Sequence, residues 1–165
     1  MTNQRIASRS TTKLTVSAMC IALYCIVMYF TQHFAFGAYQ IRIATALYGL
    51  GYFFPFLTLP MGLANAMSNM LMGGFGFFDI IGGGLAGILT TGCAAILGKS
   101  SRKLSSFFVA LPVTLIPGLL VPLWLAPALS IPYSVLALNL CIGQILPGVV
   151  SVLLIKSLPR ILRFQ

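Results

Sequence analysis

The sequence predicts an all-α membrane protein with six transmembrane helices and with both termini in the cytoplasm. Its mean hydropathy is +1.01, and 7% of its 165 residues are charged, whereas soluble domains carry about 25% charged residues. Several apolar stretches reach the roughly 20 residues that a helix needs to cross the hydrocarbon core. The grouping of the basic residues then sets the number of crossings.

Nine of the ten Lys and Arg residues fall into three groups. The positive-inside rule places all three groups in the cytoplasm. The chain must therefore cross the membrane an even number of times between one group and the next. The groups are Arg5, Arg9 and Lys13; Lys99, Arg102 and Lys103; and Lys156, Arg160 and Arg163.

The first predicted helix covers residues 14–36, an apolar stretch too long for the h-region of a signal peptide. The helices predicted at 14–36 and 79–98 each cross the membrane once. Since the total number of crossings between the first two basic groups is even, residues 44–72 must cross twice or not at all. At 1.5 Å per residue, residues 44–72 would form one helix of about 43 Å or two of about 21 Å. Pro55 and Pro60 favour a break at the centre. We therefore predict two short helices here.

Between the second and third basic groups the chain must also cross the membrane an even number of times. One helix rises to the extracellular side, a loop containing Pro127 and Pro132 turns the chain, and a last helix returns it to the basic C-terminus. Residues 1–165 thus form a single integral membrane domain. The predicted helices are 14–36, 44–58, 60–72, 79–98, 104–124 and 133–156.

The motif inventory argues against catalysis by the chain itself. It has no P-loop signature and no soluble domain that would hold a nucleotide, so an ATP-driven activity would require partner subunits. Its four cysteines lack CxxC spacing, and we predict no metal site, no cofactor and no nucleic-acid partner.

Asp79 is the only acidic residue in the sequence. The predicted topology places it on the extracellular side, together with Arg42 and His33. Ionisable groups near a membrane are costly and are functional hypotheses by default. Three structural alternatives stay open: Asp79 caps the first turn of its helix, Arg42 lies in the interface or pairs with Asp79, and His33 is an interfacial residue without a ligand.

Small residues at helical spacing indicate close contacts between helices. Gly83 and Gly87 form a GxxxG step that lets another helix approach. Ala18 and Ala22 form an AxxxA step in the first predicted helix. The alanine step favours either packing inside the protein or a flat patch for another membrane subunit.

Residues 39–89 carry a specific pattern: an IRI-A-AL step, aromatic residues with proline, then SN-x-x-x-GG-x-G-x-x-D and a glycine-rich helix start. This pattern resembles the queuosine-precursor transporter (QueT) family among the substrate-binding S components of energy-coupling-factor (ECF) transporters. The opening KLTVSAMCIALYCIVMYF and the final GQILPGVVSVLL are similar to the first and last helices of such proteins.

The resemblance implies the six-helix S-component fold in a prokaryotic plasma membrane. By position, it implies that Arg42, Asn69 and Asp79 line or frame a ligand pocket open to the outside. It also implies that Ala18 and Ala22 face the transmembrane T component, which works with two cytoplasmic ATPase subunits.

The chain departs from the family pattern at two positions. Thr45 stands where R-x-x-E-A-L has Glu, and Gln144 stands where the last helix has G-E. Because charge-assisted hydrogen bonds are about twice as strong as neutral ones, losing both acids weakens recognition of a cationic ligand and leaves only Asp79 to supply a negative charge.

Other side chains suit a flat heterocycle. The amides of Asn69 and Gln144 offer donors and acceptors to a purine-like edge. Tyr39 and Trp124 offer stacking faces, although an aromatic residue here is also typical of a lipid-facing or interfacial anchor.

These features predict a substrate-binding S component that takes up a queuosine precursor or a related 7-deazapurine and is not itself an enzyme. The alternatives are an S component for another vitamin-like ligand and a solitary carrier without ATPase subunits. A small membrane enzyme would need His33 and Asp79 within hydrogen-bonding distance. A purely structural scaffold explains the glycines but not the polar residues.

Overall fold

A computed structural model describes residues 2–37, 39–72, 75–99 and 105–162, without the side chains of 2–9, 105 and 159–162. Throughout these residues the chain forms helices and no strand, which confirms the all-α class. Gly73, Gly74, Arg102, Lys103 and Arg163 lie outside the described residues. In chain order the elements are α1 (Thr2–Ala35), a 3₁₀ helix (Ile43–Tyr52), a 3₁₀ turn (Pro55–Leu57), α2 (Thr58–Met72), α3 (Phe77–Gly98), α4 (Ser105–Phe108), α5 (Ala110–Leu120), α6 (Pro122–Leu129) and α7 (Tyr133–Leu162).

Among the described residues, four helical stretches are long and apolar enough to cross a membrane. Two further segments, the 3₁₀ helix and α2, are shorter and pack within the same bundle. Six crossings and cytoplasmic termini therefore stay predictions. The four long stretches are Ser10–Ala35, Phe77–Gly98, Ser106–Leu129 and Tyr133–Leu158.

The second predicted helix, 44–58, differs most from its prediction. Ile43–Tyr52 winds as a 3₁₀ helix, whose rise of about 2.0 Å per residue covers about 20 Å in ten residues. It packs between α1, α3 and α7. A Cβ at Gly51 would lie 2.5 Å from the backbone oxygen of Thr91, so the close approach to α3 requires glycine at this position. An α-helical prediction from apolar residues missed this constraint.

The predicted loop with Pro127 and Pro132 is shorter than predicted: Pro132 lies in it, but Pro127 lies inside α6. A proline in a membrane helix is tolerated where neighbouring groups satisfy the freed backbone. The helix ends at Ser130, whose φ of 55° is left-handed. The N–H of Ile131 then donates to the carbonyl oxygen of Ala126 at 3.0 Å, which closes the turn before α7.

The GxxxG step on α3 faces α2, as predicted. A Cβ at Gly87 would lie 3.0 Å from the Cα of Gly62, and a Cβ at Gly83 would lie 2.5 Å from the amide nitrogen of Asn69. Glycines at these positions let the two helices approach closely. This contact brings the asparagines of α2 against the first turns of α3.

Candidate functional site

Arg42 lies just before the 3₁₀ helix and is buried, with 5% of its surface exposed. Its Nη1 donates to Oδ1 of Asn65 at 3.2 Å and to Oδ1 of Asn69 at 3.0 Å. The two asparagines are four residues apart on α2 and therefore share one helix face. A guanidinium buried in the bundle thus has two amide acceptors from a neighbouring helix.

Asp79 is the third residue of α3 and is 1% exposed. Its Oδ2 accepts a hydrogen bond from the backbone N–H of Phe75 at 3.2 Å and lies 4.0 Å from Nη2 of Arg42. Its Oδ1 accepts from Nε1 of Trp124 at 3.1 Å. Asp79 therefore holds the backbone just before α3 and pairs with Arg42, but its carboxylate accepts from no N–H of the helix itself, so the predicted helix cap is not formed. A contact with a ligand stays a prediction.

Trp124 reaches Asp79 because α3 has glycine where the indole lies. A Cβ at Gly82 would come 2.5 Å from Cζ2 of Trp124, so any larger residue would displace the ring. The indole is partly buried against α3. It is fixed by its N–H bond to Asp79, and so it does more than anchor the chain in lipid.

The two positions that depart from the family pattern contact each other. The hydroxyl oxygen of Thr45 lies 2.8 Å from Oε1 of Gln144 and 2.7 Å from the carbonyl oxygen of Arg42, so its single proton is shared between two acceptors. Nε2 of Gln144 donates to the carbonyl oxygen of Gln40 at 3.0 Å. Both side chains are buried. They form a neutral hydrogen-bonded pair next to Arg42.

Two of the sequence candidates lie apart from these residues. Tyr39 is 52% exposed, and among the described residues its side chain makes no hydrogen bond. His33 is exposed on α1, and no hydrogen bond joins it to Asp79, whose partners are Arg42, Phe75 and Trp124.

Sequence reasoning missed Asn65 and Tyr24. Nδ2 of Asn65 donates to the hydroxyl oxygen of Tyr48 at 2.7 Å, and that oxygen lies 3.0 Å from the hydroxyl of Tyr24. The tyrosine rings stack with their centroids 5.7 Å apart. The spacing of Asn65 and Asn69 by four residues was a usable signal. Tyr24 has no such signal, because it stands in an apolar helix.

A cavity of about 210 Å³ is lined by residues that contact this polar cluster, although Arg42 and Asp79 do not line it themselves. Phe36 and Phe75 line it, and so does the amide of Asn139, which makes no hydrogen bond within the described residues. The ring centre of Phe36 lies 5.0 Å from Cζ of Arg42. The cavity is smaller than the roughly 300 Å³ at which pockets for drug-sized ligands begin. Its other walls are mainly aliphatic, so it suits a small, flat molecule with few polar groups.

Two larger grooves are a poorer candidate site. Their volumes are about 490 and 380 Å³, and both run along the outer surfaces of α3 and α5 around Cys93. Their walls are almost wholly apolar, mainly leucine and isoleucine. Such a surface suits lipid tails, and it lacks the few converging polar groups that orient a polar ligand.

The AxxxA step lies away from the cavity, on the surface of α1. Ala18 and Ala22 are both exposed, with Met19 67% exposed between them. Packing inside the protein therefore does not account for the step in the described structure. A flat patch for another membrane subunit stays a prediction.

Comparison with protein-family models matches residues 14–160 to the family described as QueT transporter. The matched range includes all of the buried polar side chains described above. Searches among curated proteins and among solved structures found no match.

Proposed function

The chain belongs to the QueT transporter family, and from this premise we propose that it is the substrate-binding S component of an ECF-type importer. It lies in a prokaryotic plasma membrane with both termini in the cytoplasm. Its substrate is a queuosine precursor or a related 7-deazapurine, which it binds from the extracellular side. ATP hydrolysis belongs to two partner subunits.

One observation carries the proposal: the only acidic side chain of the sequence is buried against Arg42, and both contact residues that line a small cavity. Burying an ion pair is often no better for stability than burying apolar residues of similar volume, and ionisable groups in a membrane protein are usually functional. Asn65 and Asn69 extend this polar surface towards α2. A protein that served only as a scaffold would have no use for it.

The chemistry of the cavity fits a flat heterocycle. In this proposal the ring packs against Phe36 and Phe75, since stacking on an aromatic side chain contributes about 1 to 3 kcal/mol per base. Asn139 offers both a donor and an acceptor to the edge of the ring. The small volume favours a free base over a nucleoside.

The direct test is a calorimetric titration of the purified protein with 7-deazaguanine, with guanosine as the control. We expect 7-deazaguanine to bind and guanosine to bind more weakly, because the small cavity favours a free base. Binding of thiamine or riboflavin in place of the deazapurine would favour an S component for another vitamin-like ligand.

The partner subunit is tested on the exposed face of α1. We expect Ala22→Leu to reduce co-purification with a T component, because the added side chain prevents close approach at the alanine step. Ala128→Leu is the matched control, since Ala128 is also exposed but lies on α6. Ligand binding should be unchanged in both variants.

Equal yields of the complex for Ala22→Leu and Ala128→Leu would count against the α1 face as the docking site. Uptake that persists in cells lacking any T component would instead favour a solitary carrier.

A further inference from the structure

Among the residues that the structure describes, two nitrogens of the Arg42 guanidinium find no hydrogen-bond partner. Nη1 is engaged by Asn65 and Asn69, but Nε and Nη2 are buried and unbonded. Nη2 has only the longer ion pair with Asp79, at 4.0 Å. A buried donor without a partner costs about 1 to 3 kcal/mol, and more when it is charged. Such groups are rare in native proteins and call for an explanation.

These two nitrogens form one recognition edge. In the planar guanidinium the Nε–H and one N–H of Nη2 point to the same side, as a fork that matches two lone pairs in one plane. Phe36 lies at the guanidinium, 5.0 Å from Cζ to the ring centre, and the same ring lines the 210 Å³ cavity. Phe36 thus contacts both the guanidinium and the cavity, whereas Arg42 itself does not line the cavity. In our proposal the Phe36 side chain moves aside when a ligand reaches the fork.

The charge balance of the site limits what this ligand can be. Arg42 and Asp79 are one positive and one negative charge, and the sequence contains no other acidic residue. Both oxygens of Asp79 already accept hydrogen bonds, from Phe75 and Trp124. A cationic ligand would leave an uncompensated positive charge in a buried site, which is strongly unfavourable. A neutral ligand keeps the balance.

We propose that the Nε and Nη2 fork of Arg42 binds a carbonyl-type acceptor edge of a neutral planar heterocycle, and that the site discriminates against cationic relatives of that ligand. This inference rests on the proposed function for the ligand class. Beyond the ligand class, it specifies which edge of the ring accepts hydrogen bonds, that Arg42 donates them, and that the ligand is neutral.

The acceptor edge is tested with ligands that differ at one group. We expect 7-deazaguanine, whose carbonyl accepts, to bind at least about tenfold tighter than its 6-amino analogue, which presents donors to the fork. Arg42→Lys retains the charge but loses the fork. We expect this variant to bind the two ligands with nearly equal affinity.

The charge preference is tested on the wild-type protein, so it does not depend on the folding of a variant. We expect neutral 7-cyano-7-deazaguanine to bind at least about tenfold tighter than cationic 7-aminomethyl-7-deazaguanine. Equal or tighter binding of the aminomethyl compound would overturn the inference and leave the proposed function standing. An unaltered preference for the carbonyl in folded Arg42→Lys would overturn it as well. If the folded wild type binds none of these compounds, the proposed function fails and the inference fails with it.

Discussion

Asp79→Asn is expected to abolish measurable binding of 7-deazaguanine and to lower the free energy of unfolding by about 3 kcal/mol. The substitution removes the counter-charge of a buried arginine, and loss of one partner of a buried pair typically costs about 3 to 5 kcal/mol. It also sets an amide N–H against either the indole N–H of Trp124 or the backbone N–H of Phe75, the two donors that the carboxylate now accepts. Calorimetric titration and thermal unfolding in detergent measure the two effects.

A double variant separates stability from binding. Arg42→Met together with Asp79→Asn removes both charges, and replacing a whole buried pair by groups of similar volume is often neutral or stabilising. We expect the double variant to regain most of the lost thermal stability but none of the binding. If Asp79→Asn alone binds 7-deazaguanine with unchanged affinity, the carboxylate has only the structural roles of acceptor for Phe75 and Trp124 and of ion-pair partner.

Gln144→Glu is expected to reduce or abolish the preference for a neutral ligand. The change is nearly isosteric and adds a carboxylate to the Thr45–Gln144 pair, whose Gln40 contact also lies at the cavity wall. A charge-assisted hydrogen bond exceeds a neutral one by roughly 1.4 kcal/mol, which corresponds to about tenfold in affinity. We therefore expect 7-aminomethyl-7-deazaguanine to bind the Gln144→Glu variant about tenfold tighter than the wild-type protein.

Gln144→Met is the matched control, because it keeps the volume and adds no charge. It should lose stability through the bond to Gln40 but gain no affinity for the aminomethyl compound. An equal gain in both variants would show that loosening of the packing, and not charge, admits the cation.

The long helices were predictable because their signals are local. The predicted helix at 79–98 begins two residues late against Phe77–Gly98, and the only acidic residue marks its first turn. The predicted helix at 60–72 likewise begins two residues late, since α2 starts at Thr58 and places Pro60 in the first turn, where a proline is tolerated. Apolar length and helix breakers thus located these elements well.

The 3₁₀ helix and the details of the site were not predictable in the same way. The winding of Ile43–Tyr52 depends on how closely α3 and α7 approach it, which no local pattern encodes. The pairing of Arg42 with Asp79 was an open alternative in the sequence. Its second set of partners, Asn65 and Asn69, required knowledge of how α2 packs on α3. Asn139 at the cavity wall had no sequence signal at all.

The contact between Thr45 and Gln144 bears on how substrate choice changes over evolutionary time. Two carboxylates at these positions would stand close enough to repel each other unless they shared a proton or held a cation between them. The side chains at 45 and 144 therefore constrain each other, although they are far apart in the chain. When the preferred substrate changes from a cation to a neutral molecule, the carboxylates at positions 45 and 144 both lose their function. We expect relatives of this protein to carry either two neutral side chains or two acidic ones at these positions, with mixed pairs confined to lineages in transition.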